Sequence, residues 1–142
     1  MLKTHKNTVL LFGSFDGLHP GHEYLINQAQ QHSNDIVIVV AQDMVIKRVK
    51  GRLPFYDLNT RIQNLKAKFP TVTAIAGDPE RGTWSAIKEY KPQTILVGYD
   101  QEALYNVLGE IKDNYGFTIV QCKPFHPDQY KSSILRKRKD TL

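Results

Sequence analysis

The chain has few of the features that mark secreted, membrane or metal-cluster proteins. Its 142 residues include one cysteine, Cys122, so no internal disulfide can form and the thiol fits a reducing compartment. No apolar run approaches the ~20 residues that a membrane-spanning helix needs. Residues 1–8 also lack the apolar core of a signal peptide. We therefore expect a cytoplasmic protein without a zinc–thiolate cluster.

Two common nucleotide-binding loops are absent as well. The sequence contains no Gly-Lys-[Ser/Thr] and no Gly-x-Gly-x-x-Gly, which excludes the Walker A loop and the dinucleotide fingerprint. Hydrophobic residues make up 41% of the chain and charged residues 23%, as in ordinary globular proteins. The length predicts a single domain over residues 1–142.

Apolar runs and helical patterns alternate along the chain. The β-branched run 36–40 is typical of a strand buried on both faces. Strands are predicted at 8–14, 35–41, 71–76, 94–99 and 117–122, and helices at 21–31, 57–68, 84–90 and 102–114. This alternation predicts an α/β, Rossmann-like, doubly wound fold with a five-stranded parallel sheet of order 3-2-1-4-5 and helices on both faces. Ligands should bind at the carboxyl edge of that sheet.

A glycine- and histidine-rich turn follows the first predicted strand. Residues 13–22 read Gly-Ser-Phe-Asp-Gly-Leu-His-Pro-Gly-His. Small residues let backbone amides approach a ligand, and the positive end of the next helix faces the same point, so the turn suits phosphate. His19 and His22 are three residues apart and share a face if the first turn is helical.

Two other interpretations of the histidines remain open. They could bind zinc, although helical zinc pairs are usually four apart with an intervening Glu. They could also be an ordinary polar turn residue and a solvated residue of the first helical turn.

The turn resembles the signature of the nucleotidyltransferase superfamily, in which His-x-Gly-His follows Gly-[Thr/Ser]-Phe-Asp. Residues 41–61 are similar to the pattern of archaeal-type FAD synthases, relatives of the glycerol-3-phosphate cytidylyltransferases, in which Ala-Arg-Asp precedes Lys-Lys-x-Lys-Gly-Arg-x-Pro and a later Arg. This sequence departs from that pattern at Gln42 and Arg48. The resemblance extends from Thr8 to Ile134.

The resemblance implies roles for individual residues. His19 and His22 would bind the α- and β-phosphates and their bridging oxygen, and His22 would donate to the developing charge. Lys50 and Arg61 would neutralise pyrophosphate, which suits a mobile point charge and a guanidinium fork. These four are the predicted catalytic residues. The predicted nucleotide-binding residues are Gly13, Ser14, Phe15, Asp16, Gly21, Lys47, Gly98, Tyr99, Asp100, Ser132 and Ser133.

Several of these residues have a second interpretation. Lys47 could be a solvated surface lysine. Asp100 could bind the nucleoside or cap the following helix. Asp16 could hold Mg²⁺ through water or form the turn. Ser132 and Ser133 could bind a second anion or act as ordinary helix caps.

The implied reaction is transfer of a nucleoside monophosphate from an NTP to a phosphorylated small molecule, with release of pyrophosphate. ATP as donor and FMN as acceptor are our first expectation. Candidates for stacking on a flavin are Phe15, Tyr99, Phe125 and Tyr130, each of which could equally be a core residue. The alternatives are glycerol-3-phosphate cytidylylation with CTP and pantetheine-phosphate adenylylation. A non-catalytic nucleotide- or RNA-binding module that uses the net charge of +5 is a further alternative.

The family also implies Mg²⁺ carried by the phosphates, with no dedicated protein ligands, and a homodimer. Neither a membrane nor a nucleic acid is expected as a partner. The basic tail, at about residues 136–142, is interpreted as a solvated terminus without an assigned function.

Overall fold

The computed structural model describes residues 7–80 and 82–124. Predictions made for Ser132, Ser133, Phe125, Tyr130 and the basic tail lie outside the described residues. In chain order the elements are β1 (Thr8–Gly13), α1 (Pro20–His32), β2 (Asp35–Val40), α2 (Asp43–Lys50), α3 (Leu58–Lys68), β3 (Thr73–Ala76), α4 (Ser85–Tyr90), β4 (Thr94–Val97), α5 (Glu102–Tyr115) and β5 (Thr118–Gln121).

The five strands form one parallel sheet of order β3-β2-β1-β4-β5, which confirms the predicted fold class. β1 pairs with β2 along its whole length, from Thr8 opposite Asp35 to Gly13 opposite Val40. Its pairing with β4 covers only Val9 and Leu10. In this order the direction of successive crossovers reverses between β1 and β4. The carboxyl ends of these two strands are not paired with each other, so a ligand crevice is expected there.

Helices cover both faces of the sheet. On one face, Ile26 and Ala29 of α1 and Leu65 of α3 pack with alternate strand residues such as Leu11 and Ile38. On the other face, Ile87 of α4 and Leu108 of α5 pack with residues such as Leu10, Val37 and Ile95. Because each central strand contributes to both clusters, its continuous apolar sequence is explained.

The prediction was wrong between β2 and β3, where it placed one helix and the structure has two. The additional helix, α2, is only eight residues long and buries Ile46 alone, so it lacks a broad apolar stripe. Gly51 ends it in the left-handed conformation at φ 82°. The basic cluster near residue 50 therefore lies mainly in the last turn of α2, where cations complement the negative helix end.

The starts of two helices are defined by specific residues. Asp57 caps α3, because its Oδ1 accepts a hydrogen bond from the backbone N–H of Thr60 at 2.8 Å. Trp84 is the N-cap residue of α4, and its ring meets Phe12 edge-on at 5.8 Å. Within the described ranges, no helix is both long and apolar enough to cross a membrane.

Leu65→Ala tests the packing of α3 on the sheet. Leu65 is fully buried, so truncation should lower the free energy of unfolding by about 2–5 kcal/mol. Urea unfolding followed by circular dichroism measures this change. Lys66→Ala, at the exposed neighbouring position, is the control and should change stability by no more than about 0.5 kcal/mol. Equal effects of the two substitutions would contradict the packing described for α3.

Candidate active site

The histidine turn connects β1 to α1 at the carboxyl edge of the sheet. His19 is the N-cap of α1 and its Nδ1 accepts a hydrogen bond from the backbone N–H of Gly21 at 3.1 Å. This bond requires an unprotonated Nδ1, so the neutral ring carries its proton on Nε2. Pro20 at the first helical position presets the backbone for the turn. The turn thus leaves the Nε2–H of His19 available as a donor to a ligand.

The two histidines share a face, as the spacing predicted. Their rings stack with centroids 3.8 Å apart and planes 25° apart. The ring of Phe15 lies 5.2 Å from that of His22 and is itself 2% exposed. Of the two interpretations of Phe15, the structure favours the core residue over the flavin contact, because its ring is packed in the core. Its contact with His22 instead supports the histidine ring.

The position of the Phe15 ring also explains why residue 13 is a glycine. A Cβ atom at Gly13 would lie 2.7 Å from Cε2 of Phe15, which no real side chain tolerates. Phe15 has a positive φ of 50°, an uncommon conformation for a bulky residue. The absence of a side chain at Gly13 therefore makes room for the ring.

Burial and mutual proximity keep the histidines neutral. Burial, together with the neighbouring charges of His19 and Lys50, lowers the pKa of His22 to about 4, and the Gly17 carbonyl and Asp16 oppose this shift. Burial also lowers the pKa of His19, against the carboxylates of Asp100 and Glu23. Nδ1 of His22 is buried and has no hydrogen-bond partner among the described residues. Near pH 7 the pair is thus a set of neutral donors that an anion can approach.

Lys50 ends α2 near this pair. It is exposed, and its charge acts on the pKa of His22. The structure thus brings three predicted catalytic residues, His19, His22 and Lys50, into one region. Lys47 lies one turn earlier on α2 and is exposed, so both of its interpretations stay open.

The segment after β4 forms the other wall of the crevice. Gln101 donates from Nε2 to the Phe12 carbonyl at 2.9 Å and accepts from the Gly98 N–H at 2.8 Å. It therefore joins the separated ends of β1 and β4. Tyr99 is 55% exposed. The carboxylate of Asp100 makes no hydrogen bond among the described residues, and Gln101 occupies the N-cap of α5, so the capping interpretation of Asp100 is not supported.

Arg61 has surroundings that differ from those expected of a pyrophosphate ligand. It is fully buried, and its Nε, Nη1 and Nη2 donate to the Tyr56 carbonyl, the Ser14 carbonyl and Asp43 Oδ1 at 2.8, 2.8 and 2.6 Å. All three nitrogens thus have protein partners. Its phosphate-binding role stays a prediction, and the contacts shown here hold the backbone instead.

Asp16 is likewise engaged with the backbone. Its Oδ2 accepts from the N–H of Phe55 at 2.7 Å and its Oδ1 from the N–H of Tyr56 at 2.9 Å. These bonds favour the turn-forming interpretation over metal ligation. No group of three or more His, Cys, Asp or Glu suited to a metal occurs in the ranges 7–80 and 82–124.

Sequence reasoning missed three participants. Asp43 stands in the 41–61 pattern and Gln101 follows Asp100, but neither was assigned a role, and their partners are 18 and 89 residues away. Tyr56 takes part through its backbone, whose hydrogen bonds no side-chain pattern reports. The position of Asp43 two residues after the predicted strand 35–41 was the one usable signal for it.

Comparison with known proteins agrees with this geometry. Residues 10–138 match the family model described as cytidylyltransferase-like. The chain is 30% identical to the FAD synthase of Thermococcus sibiricus over 98% of this chain and 93% of that protein. It is 29% identical to the FAD synthase of Pyrococcus abyssi over 92% and 90% of the two chains.

A solved structure is similar over a comparable length. The lipopolysaccharide core biosynthesis protein from Thermoplasma volcanium has a TM-score of 0.72 and 30% identity, covering 85% of this chain and 99% of that one. The chain belongs to the cytidylyltransferase-like family, which confirms the resemblance predicted from its motifs. It is therefore a nucleotidyltransferase.

The lowered pKa of His22 predicts a pH dependence of stability. The unfolded chain takes up a proton on this histidine near pH 6.5 and the folded chain only near pH 4, so stability is retained above pH 6.5 and lost as the pH falls toward 4. Between pH 7 and 5 the loss should be about 1–2 kcal/mol. His22→Gln should reduce this loss, measured by urea unfolding at both pH values.

His32→Gln is the matched control for that measurement, because His32 is an exposed residue at the end of α1. It should leave the difference between pH 7 and 5 as in the wild type. Identical pH dependence in wild type and His22→Gln would contradict the burial-based shift.

Proposed function

We propose that this chain is an FMN adenylyltransferase that transfers AMP from MgATP to FMN and yields FAD and pyrophosphate. The observation that carries the proposal is its similarity to two archaeal FAD synthases across more than nine-tenths of its length. The histidine turn stands at the sheet edge where that chemistry would occur. In the reaction, a phosphate oxygen of FMN bonds to the α-phosphorus, and the bond from that phosphorus to the bridging oxygen breaks.

The chain's own residues supply positioning and charge stabilisation for this displacement. No protein nucleophile is needed, because the acceptor phosphate attacks directly. His19 offers its Nε2–H to the phosphate chain, and His22 donates to the α-phosphate region as negative charge develops there. A preorganised donor strengthens its hydrogen bond as that charge grows, and so lowers the barrier.

Lys50 would attract the leaving pyrophosphate. Its exposed ammonium lies at the end of α2, close enough to act on the pKa of His22. A lysine follows a moving phosphate better than a fixed guanidinium would. Magnesium would enter with the substrate as MgATP, because the carboxylate oxygens of Asp16 already accept backbone N–H groups.

The nucleoside would lie beside the segment after β4. A Cβ atom at Gly98 would meet Asp100 Oδ1 at 3.2 Å and Gln101 Oε1 at 3.4 Å, so a base that approaches this point would contact these two side chains. Tyr99 presents an exposed ring and Asp100 a carboxylate without a hydrogen-bond partner among the described residues. These two residues are our candidates for recognition of the base and ribose.

Purified protein tests the substrates directly. Incubation with MgATP and FMN should produce FAD, detected by chromatography, together with one pyrophosphate per FAD. Parallel reactions with CTP and glycerol 3-phosphate, and with ATP and phosphopantetheine, should release little. Pyrophosphate from CTP and glycerol 3-phosphate with none from FMN would replace the proposed acceptor and leave the phosphate site intact. Absence of turnover with all three pairs would favour a non-catalytic binding module.

Lys50→Ala should weaken the binding of the nucleotide's phosphate chain without changing the preference for one base over another. Loss of one charge-assisted contact of about 1.5–3 kcal/mol predicts roughly a tenfold or larger rise in the Kd of pyrophosphate and ATP. Isothermal titration calorimetry measures both Kd values, and the affinity for CTP should fall by the same factor. Lys88→Ala on α4, which packs against the opposite face of the sheet from α3, is the control. A changed ATP-to-CTP ratio with unaltered pyrophosphate binding would remove Lys50 from this role.

A further inference from the structure

We propose that Asp16 and Arg61 are positioning residues that lock the histidine turn onto the segment between α2 and α3. We call their five hydrogen bonds the double clasp: two accepted by Asp16 from Phe55 and Tyr56, and three donated by Arg61 to Ser14, Asp43 and Tyr56. The catalytic part of this inference rests on the proposed function, whereas its structural part does not.

Asp16 forms the first half of the double clasp. Each of its carboxylate oxygens accepts one backbone N–H, from residues 39 and 40 positions later in the chain. Hydrogen bonds to an ionised carboxylate are stronger than those between neutral groups. The bonds therefore tie the middle of the histidine turn directly to the segment that follows α2.

Arg61 forms the second half of the double clasp from the buried side of the segment. Its side chain is fully buried, and its charge is matched by Asp43 at the start of α2 through a 2.6 Å contact. The remaining two contacts take the carbonyls of Ser14 and Tyr56 at 2.8 Å each. A guanidinium cannot lose its proton, so each lost partner would leave buried charge poorly compensated. The three chain segments that contact Arg61 therefore depend on one another for their positions.

The two halves meet at Tyr56. Its N–H is held by Asp16 and its carbonyl by Arg61, so one residue is fixed from both sides. Side-chain packing does little to hold this segment, because Phe55 is 81% exposed and Leu53 and Tyr56 are also exposed. The double clasp is therefore the interaction that sets the segment against the histidine turn, and with it the path of the chain leaving Lys50.

Asp16→Asn tests the clasp against metal ligation. An asparagine has one oxygen, and its NH₂ group would face a backbone donor, so the segment should loosen. Hydrogen–deuterium exchange of the free protein should become about tenfold faster or more at residues 53–57, and kcat should fall about tenfold or more. The magnesium concentration for half-maximal rate and the KM of ATP should stay within about threefold. Unchanged exchange with a raised magnesium requirement would overturn the proposal.

Asp57→Asn is the matched control. It removes a carboxylate from the same segment, but Asp57 caps α3 and makes no hydrogen bond to the histidine turn. Asparagine is an equally good cap, so exchange at residues 53–57 and kcat should match the wild type. If Asp57→Asn accelerated exchange as strongly as Asp16→Asn, the segment would not depend on the clasp, and the proposal would fail.

Arg61→Lys separates positioning from phosphate binding. Lysine keeps the charge but cannot span three separate acceptors, so exchange at residues 53–57 of the free protein should rise and kcat should fall. The Kd of inorganic pyrophosphate should change by less than about threefold. A large loss of pyrophosphate affinity with unchanged exchange would assign Arg61 to the phosphate instead.

These readouts also keep this proposal distinct from the proposed function. Exchange is measured without any nucleotide, so a failure to make FAD leaves that result intact. Conversely, normal FAD formation with unaltered exchange in both variants would reject the clasp alone. If Arg61→Lys does not fold, Asp43→Asn replaces it. This variant keeps one oxygen for Arg61 but removes the negative charge that compensates the buried guanidinium, so exchange at residues 53–57 should again become faster.

Discussion

The parallel pairing of β1 with β2 is the constraint on which the rest of the structure depends. It runs the full length of β1, whereas β1 and β4 are paired only at Val9 and Leu10. Parallel strands bring their carboxyl ends to one edge, so the turns after β1, β2 and β4 meet there. The unpaired ends of β1 and β4 provide the space for a ligand, and Gln101 bridges them from one side.

At that edge the chemistry depends on keeping two stacked histidines neutral. Two imidazolium rings 3.8 Å apart would repel each other, and burial further disfavours their charged forms. The site therefore holds uncharged donors, with Lys50 as a nearby cation. An anionic substrate can approach such a site and strengthen its hydrogen bonds as charge develops, which suits phosphoryl chemistry better than a fixed charged pair.

Around the histidine turn a charged side chain is buried and an apolar one is exposed. Arg61 is completely buried, whereas Phe55 projects into solvent. Polar contacts rather than apolar packing thus fix the segment between α2 and α3. Hydrogen bonds have directions and defined lengths, so they set the backbone more sharply than a non-directional apolar contact of similar size would. Such placement matters at a site where small displacements of reacting groups are costly.

The amino-acid sequence by itself determined the element types, the parallel sheet and the histidine turn between β1 and α1, because periodicity, glycine placement and the His19–His22 spacing are local properties. It did not determine α2, whose eight residues bury one side chain and so carry too weak a pattern. It also assigned Arg61 to pyrophosphate and left Phe15 open between a ligand contact and the core. Only the tertiary structure decided that Phe15 supports His22 from the core and that Arg61 holds Ser14, Asp43 and Tyr56. Burial and backbone hydrogen bonds between distant segments arise from the folded chain as a whole, and no local pattern encodes them.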